Sequence, residues 1–558
     1  MAVAADGSGG GWLQPYDDAR GTPSGPVAAA PDLAAEVAHR EAHDAPRWLW
    51  ASTAAVYPAL LRAGVRLSRC HDLELTEALL LGYAGRWGEP RSVAAALARR
   101  AGAPVPPDPP PPPARPPGDP QGSLFDLAPA ASADTLADLG LAYADQRRRI
   151  AATGAPERFR LLVAAESAGA LVAAEMGHDG LPWRADEHDR VLSQLLGPRA
   201  PGGALPARLA RLSAAIAEAL HAPGLHPDSP AELRRAFARA GIRLPDTRAW
   251  SLRGVDHPAA PLVLEYKELY RVWSAHGWSW CDTWVHQGRF RPEYVPAGVV
   301  SGRWATRGGG ALQIPKVVRR AVVADDGWRL VVADAGQLEP RVLAAVSGDT
   351  GLAAAAATGD LYAALAAESF DGDRARAKVA LLGAMYGQTG GAALPAVAVL
   401  RQRYPEAWRY VEQAARTGQA GGLVRSWLGR TCPPASAAWY DLDTGGAAEV
   451  PALDGDGARR EAAARARGRF TRNFVIQATA AEWALALLGV LRARLRGCAA
   501  QLVFFQHDEV VVHCPADEAE AVTAAAHEAA DRAGRLLFGD VTVRFPLDVS
   551  VVRCYADA

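Results

Sequence analysis

The sequence predicts a multidomain protein of combined α/β and α+β class: a small α/β domain first, helices next, and a sheet-bearing domain last. Three observations carry this expectation. The chain has 558 residues, 49% hydrophobic and 22% charged, enough for several cores. A proline-rich segment, PVPPDPPPPPARPPGDPQGS (residues 104–123), interrupts it and reads as an extended linker or loop. Beyond that segment helical periodicity dominates, and near Trp328 it gives way to strand-like apolar runs.

Before the linker, runs such as RWLWAS alternate with short helical patterns, the makings of a small α/β domain. After it, LADLGLAYADQRRRIAAT, FRLLVAAESAGALVAAEM and ARLARLSAAIAEAL read as helices. In SPAELRRAFARAGI, Ser229 and Glu232 have the spacing of a capping box. WRLVVADAGQ reads as a strand that ends in an acid, and LVFFQHDEVVVHCP as a hairpin with acids at its turn. No internal repeat is visible.

Composition excludes several function classes. A net charge of −1 leaves no global basic field, so a nucleic-acid partner must be held by local patches. The six cysteines form no CxxC pair, which argues against a zinc site or a disulfide framework and fits a reducing cytoplasm. The first residues carry neither a basic start nor an apolar leader core, and no later apolar run of membrane-spanning length is free of charges. Only three of the 60 basic residues are lysines, Lys267, Lys316 and Lys378. Each is a candidate for proton chemistry that a guanidinium cannot perform.

Three segments bear chemistry when taken together. In LVVADAGQLEPRVLAAVSGD a buried strand ends at Asp334 and a helix starts near Glu339 and Pro340, a proline being tolerated in a first turn. In DRARAKVALLGAMYGQTGG, Arg374, Lys378, Leu382 and Tyr386 recur every four residues and share one helix face. The hairpin turn then holds up Asp508 and Glu509 after His507. Singly, such features are usually helix caps and solvated faces.

Their order is specific: it resembles motifs A, B and C of the family A DNA polymerases, the bacterial DNA polymerase I type. The likeness continues in SGRWATRGGGALQIP (residues 301–315), which holds Arg303, and in RGRFTRNFVIQATAAEWA (residues 467–484), which holds Arg469, Asn473 and Gln477. It covers roughly the last 400 residues. The fold it implies is a right hand over residues 151–558, with a helical thumb at about 151–260 and, at about 261–558, a palm with an antiparallel sheet and helical fingers. Residues 1–150, including the proline-rich loop, resemble the ribonuclease H-like 3′→5′ exonuclease domain, and no 5′ nuclease domain is expected.

The resemblance implies addition of deoxynucleotides to a primer 3′-hydroxyl with two Mg²⁺ ions about 4 Å apart, Mn²⁺ being able to substitute. Mg²⁺ takes hard oxygen ligands and keeps waters, so two carboxylates suffice when substrate phosphates add the rest. Asp334 and Asp508 are the expected ligands, with the main-chain carbonyl of Ala335, where the family's tyrosine is missing. Glu509 is expected to support them. Arg374 and Lys378 would meet the triphosphate, with Lys378 donating a proton to pyrophosphate. Gln337, Leu382 and Tyr386 would also line the nucleotide site, and Gly387 would let the helix bend. Glu339 matches the steric gate against a 2′-hydroxyl. Arg303, Arg469, Asn473, Gln477 and His507 match primer-template contacts. Leu382 departs from the family's aromatic residue, which puts sugar discrimination in question. From Arg459 to Arg472 six arginines face one glutamate, a local patch for phosphates. Trp273, Trp278, Trp280 and Trp284 could stack on bases but suit core packing better.

The N-terminal domain departs furthest. Nuclease chemistry of that type needs four carboxylates around two metals, but the first acidic motif has no counterpart in residues 1–50. The second motif's aspartate falls near Val56, and the third motif's tyrosine and aspartate near Leu139 and Tyr143. Asp72 and Asp145 stand elsewhere. The expectation is an inactive remnant that braces the polymerase. Expected partners are primer-template DNA and deoxynucleoside triphosphates, with no membrane, for a monomer in the cytoplasm associated with the nucleoid and serving repair or gap filling. Two alternatives stay open: a phage-type single-subunit RNA polymerase, which tolerates an aliphatic residue at Leu382 but not the bulk of Glu339, and a non-catalytic DNA-binding scaffold.

Overall fold

The computed structural model describes residues 1–17, 20–110, 133–387, 394–435 and 456–558. The proline-rich stretch beyond residue 110, residues 388–393 of the segment after Tyr386, and the side chains of Arg459 and Arg460 lie outside the described residues.

Five short strands form the first sheet: β1 (Ala2–Ala5), β2 (Gly11–Gln14), β3 (Ala28–Ala30), β4 (Arg47–Trp50) and β5 (Arg69–Asp72). Their order is β3-β2-β1-β4-β5. β1 and β2, and β2 and β3, run antiparallel, while β1, β4 and β5 are parallel. This is a mixed sheet, in keeping with the small α/β domain that the sequence predicts. Trp48 and Trp50 of the RWLW run are fully buried, since strands joined through helices are covered on both faces. Helix Ala133–Ala151 packs on this sheet and on helices Leu73–Tyr83 and Val93–Ala101. Helix Pro156–Asp179 reaches both ways, to β5 and to the sheet described next.

That second sheet comprises β6 (Trp328–Ala335), β7 (Gln501–Gln506), β8 (Glu509–Pro515) and β9 (Leu547–Val552), all antiparallel in the order β7-β8-β6-β9. Its two central strands carry Leu330–Ala333 and Val510–Val512, all buried, with helix Ala519–Phe538 laid across β6, β8 and β9. The 39-residue helix Asp456–Arg494 runs through the interior. Its segment Glu461–Arg494 has the length and apolarity of a membrane span, but 83% of its apolar 18-residue stretch is buried inside the fold, as in the core helix of a globular protein.

Several local expectations change. Ser229 caps helix Pro230–Arg239 by accepting from Glu232 N at 3.3 Å, but the Glu232 carboxylate turns to His226 N at 3.0 Å, so only half of the capping box forms. Gly387 stops helix Arg374–Tyr386 with φ 66°, the left-handed cap that favours glycine, rather than bending it. The hairpin turn consists of His507 and Asp508, and Glu509 is already the first residue of β8. Trp278 and Trp280 are buried, and Trp273 and Trp284 pack against the same core.

Candidate active site

Sheet register assembles the acids. Asp334, the penultimate residue of β6, stands opposite Glu509 on β8 and opposite Asp548 on β9. The turn places Asp508 one residue further along, where its carbonyl accepts from Ala335 N at 3.0 Å. His507 carries the turn with φ 59°, a left-handed conformation uncommon for a residue with a side chain. Strain of this kind gathers at functional sites.

Among the described residues the Asp334 side chain has no hydrogen-bond or ion-pair partner. Burial, followed by the charges of Asp508 and Asp548, pushes its pKa up to about 6. Burial also raises Asp508 and Glu509. Carboxylates crowded in this way repel one another and lose hydration, a cost that divalent cations relieve. The donors are all oxygen, as Mg²⁺ requires, so the residues present fit the ion. Glu509 is not free: it accepts from the Tyr555 hydroxyl and lies 3.5 Å from Arg319.

Beside the acids, Glu339 ties three elements together. One oxygen takes the Arg303 guanidinium and the other accepts from the Tyr386 hydroxyl at 2.6 Å. Burial and then the Glu339 contact push the Tyr386 phenol well above its usual range. His507 is held below the usual imidazole range by burial and by Arg303. Arg303 thus acts electrostatically on Glu339, His507 and Asp508 at once.

Helix Arg374–Tyr386 turns Ala377, Ala380, Leu381, Ala384 and Met385 inward. Arg374 and Lys378 are exposed and Leu382 and Tyr386 half-buried, so the four share the face that the sequence spacing predicts. Arg374 pairs with Asp360 at 2.8 Å. Gln337 is occupied inside the fold: its amide donates to Asp360 at 2.8 Å and its oxygen accepts from Leu361 N at 2.9 Å. Arg469 is exposed next to Gly387, and Asn473 and Gln477 follow at helical spacing on the long helix, both half-buried. Arg472 of the patch is instead buried, donating to Ala384 O at 2.7 Å and to Glu412 at 2.6 Å.

Sequence reasoning missed three contributors. Asp548 lies in an unremarkable LDVSVV strand, Arg319 in the short 3-10 helix Val318–Ala321 and Tyr555 three residues before the last. Only strand register and tertiary packing place them at the site. Arg341 is a fourth: 1% exposed, it donates to the carbonyls of Gly336, Ala356, Thr358, Gly359 and Arg544 and so anchors the turn after Asp334.

The N-terminal sheet offers no such cluster among the described residues. Asp6, at the end of β1, accepts from Ser8 N, Ser8 Oγ and Gly10 N. Asp72 accepts from Thr53 N at 2.7 Å and Leu75 N at 2.9 Å. Asp145 pairs with Arg148 and Arg149. Val56 lies on helix Thr53–Arg62, and Leu139 and Tyr143 are buried on helix Ala133–Ala151.

A palm-like antiparallel sheet bearing paired acids, a helix with exposed cations and a mixed α/β sheet ahead of them in the chain fit a polymerase fold of the right-hand class. The pattern of DNA polymerase family A matches residues 204–556, and the chain belongs to that family. It is 30% identical over 293 residues to DNA polymerase I of Chloroflexus aurantiacus, covering 47% of this chain and 29% of that protein. It is 29% identical over 314 residues to the thermostable DNA polymerase I of Thermus aquaticus, covering 53% and 36%. The chain thus matches about a third of the length of these relatives. Among solved structures, the POL domain of Pol1 from M. smegmatis, in complex with DNA primer-template and dNTP, shares the fold with a TM-score of 0.70 at 19% identity, over 95% of this chain and 89% of that one.

Proposed function

We propose that this chain is a DNA-directed DNA polymerase, adding deoxynucleotides to a primer 3′-hydroxyl on a template. The observation that carries the reading is the meeting of Asp334 and Asp508, crowded together with no cation paired to either among the described residues, beside a gate residue, Glu339, already bonded to Arg303 and Tyr386. Names of relatives support it: DNA polymerase I for the bacterial proteins, and a complex with primer-template and dNTP for the structural neighbour.

In this reading Asp334, Asp508 and the Ala335 carbonyl would hold two Mg²⁺ ions, or Mn²⁺ in their place, whose chemistry when bound would be to lower the pKa of the attacking hydroxyl and offset transition-state charge. Arg374 and Lys378 bind the triphosphate, and Lys378 supplies the leaving group with a proton. Arg374 exchanges Asp360 for phosphate as it does so. Tyr386 and Leu382 form the base and sugar walls, with Gln337 behind them. Glu339 crowds a 2′-hydroxyl, the feature that favours DNA over the RNA product of a phage-type enzyme. Arg303, His507, Arg469, Asn473 and Gln477 position primer and template. Residues 1–150 form an exonuclease-like domain without nuclease activity, and residues 151–558 the polymerase, its thumb ending near residue 260. The protein works as a cytoplasmic, nucleoid-associated monomer in repair or gap filling.

Primer extension with deoxy- and ribonucleotides tests this. Extension with deoxynucleotides alone, relaxed toward ribonucleotides in Glu339→Ala, is the expected result. DNA binding without extension in Mg²⁺ or Mn²⁺ would establish a scaffold instead.

A further inference from the structure

We propose that Tyr555, in the last turn of the chain, is a positioning residue: with Arg319 it holds Glu509 aside, so that only Asp334 and Asp508 bear on the metal ions. The proposal rests on the polymerase reading and adds to it a role for the C-terminal tail.

Glu509 faces Asp334 across the β6–β8 pair, so its carboxylate has two courses open: join the ions or be tied elsewhere. It is tied. The Tyr555 hydroxyl donates to one oxygen, and Arg319 Nη1 lies 3.5 Å from the other. The guanidinium of Arg319 sits over the Tyr555 ring at 4.2 Å, so each partner also fixes the other. Tyr555 is 1% exposed and meets Phe504 of β7 edge-on at 5.9 Å. Its backbone is pinned as well, Tyr555 N donating to Val322 O at 3.0 Å and Ala324 N to Arg553 O at 2.8 Å. The tail is therefore a rigid bracket beneath the hairpin that presents Asp508.

The chemical consequence follows from charge. A third carboxylate on the ions would bind them more tightly but leave them less positive, hence weaker in stabilising the charge of phosphoryl transfer. Keeping Glu509 on Tyr555 and Arg319 leaves its field in place without its ligation.

Tyr555→Phe removes the hydroxyl and keeps the packed ring. Mn²⁺ affinity of the protein–primer-template complex is read by water-proton relaxation, which needs no turnover, and kcat is read with Mg²⁺. Tyr555→Phe should bind Mn²⁺ several-fold tighter while kcat falls about tenfold, the scale of one hydrogen bond to a charged group. Both effects should vanish in a Glu509→Gln background, because Tyr555 acts only through that carboxylate. Mere loss of packing would weaken metal binding and turnover together, and would persist beside Glu509→Gln. Unchanged Mn²⁺ affinity, or an effect of equal size in the Glu509→Gln background, would overturn the proposal. Wild-type protein that binds Mn²⁺ yet extends no primer would instead overturn the polymerase reading.

Discussion

Asp72, at the end of β5 in the N-terminal sheet, has both carboxylate oxygens filled by the amides of Thr53 and Leu75. Asp334, one residue from the end of β6 in the second sheet, has neither filled among the described residues, and three further acids surround it. Both sit near strand ends in well-packed α/β surroundings. The difference lies in what their burial serves: the first carboxylate is consumed in capping helix Leu73–Tyr83, whereas the second is crowded by other carboxylates at a cost to stability that a cation would offset in the proposed reading. The contact between residues 1–150 and the helices beyond them follows the first pattern. Glu175 receives Arg492 from the long helix at 2.7 and 2.8 Å and the Tyr57 hydroxyl at 2.5 Å. Arg492 in turn donates to the carbonyls of Leu67 and Ser68.

The largest expected effect separates the two sheets. Asp334→Asn or Asp508→Asn should lower the extension rate by at least about a thousandfold, the loss of several kcal/mol of metal-borne stabilisation. Lys378→Ala should cost roughly a hundredfold in kcal-neutral fashion for the fold, lowering kcat through the lost proton donor while the melting temperature stays level. Where the long helix meets residues 1–150, Arg492→Met should destabilise by about 3–5 kcal/mol in denaturant unfolding, because Glu175 would be left buried and uncompensated.

Acidity sharpens the same contrast. Asp334 has a folded pKa of about 6 against an ordinary 3.8. The folded state therefore holds its proton more firmly, so this group's stabilising contribution is complete below about pH 4 and lost as pH rises through about 6. In chelator, wild-type stability should fall across that window and Asp334→Asn should flatten the fall, as followed by thermal melting at graded pH. The smallest effect belongs to Gly387→Ala. Its φ of 66° and the approach of a Cβ to 3.2 Å from Arg469 should cost about 1 kcal/mol or somewhat more in denaturant unfolding.

Legibility divides along similar lines. The strand that ends beside Asp334, the turn at Asp508 and the helix Arg374–Tyr386 were readable because each sits in a contiguous segment with its own spacing. The antiparallel hairpin was readable from its valines. Asp548, Tyr555 and Arg319 were not, since a carboxylate on an edge strand and a tail tyrosine carry no local pattern. Their role arises from register across β6, β8 and β9. The scarcity of lysine was a partial guide. Lys378 is exposed on the helix face of Arg374, but Lys267 donates to Thr247 O at 2.6 Å and Thr247 Oγ1 at 2.7 Å and serves the fold. The fastening of the N-terminal domain through Arg492 and Glu175, 317 residues apart, had no sequence signal at all.

The most direct measurement pairs one acid from each sheet. Primer extension and thermal melting are followed for Asp508→Asn and Asp72→Asn beside the wild type. Asp508→Asn should lose extension while its melting temperature holds or rises, and Asp72→Asn should melt earlier while each folded molecule still extends. Extension that survives Asp508→Asn, or is lost in a folded Asp72→Asn, would contradict the assignment of the unpaired acids to catalysis and the paired ones to the fold.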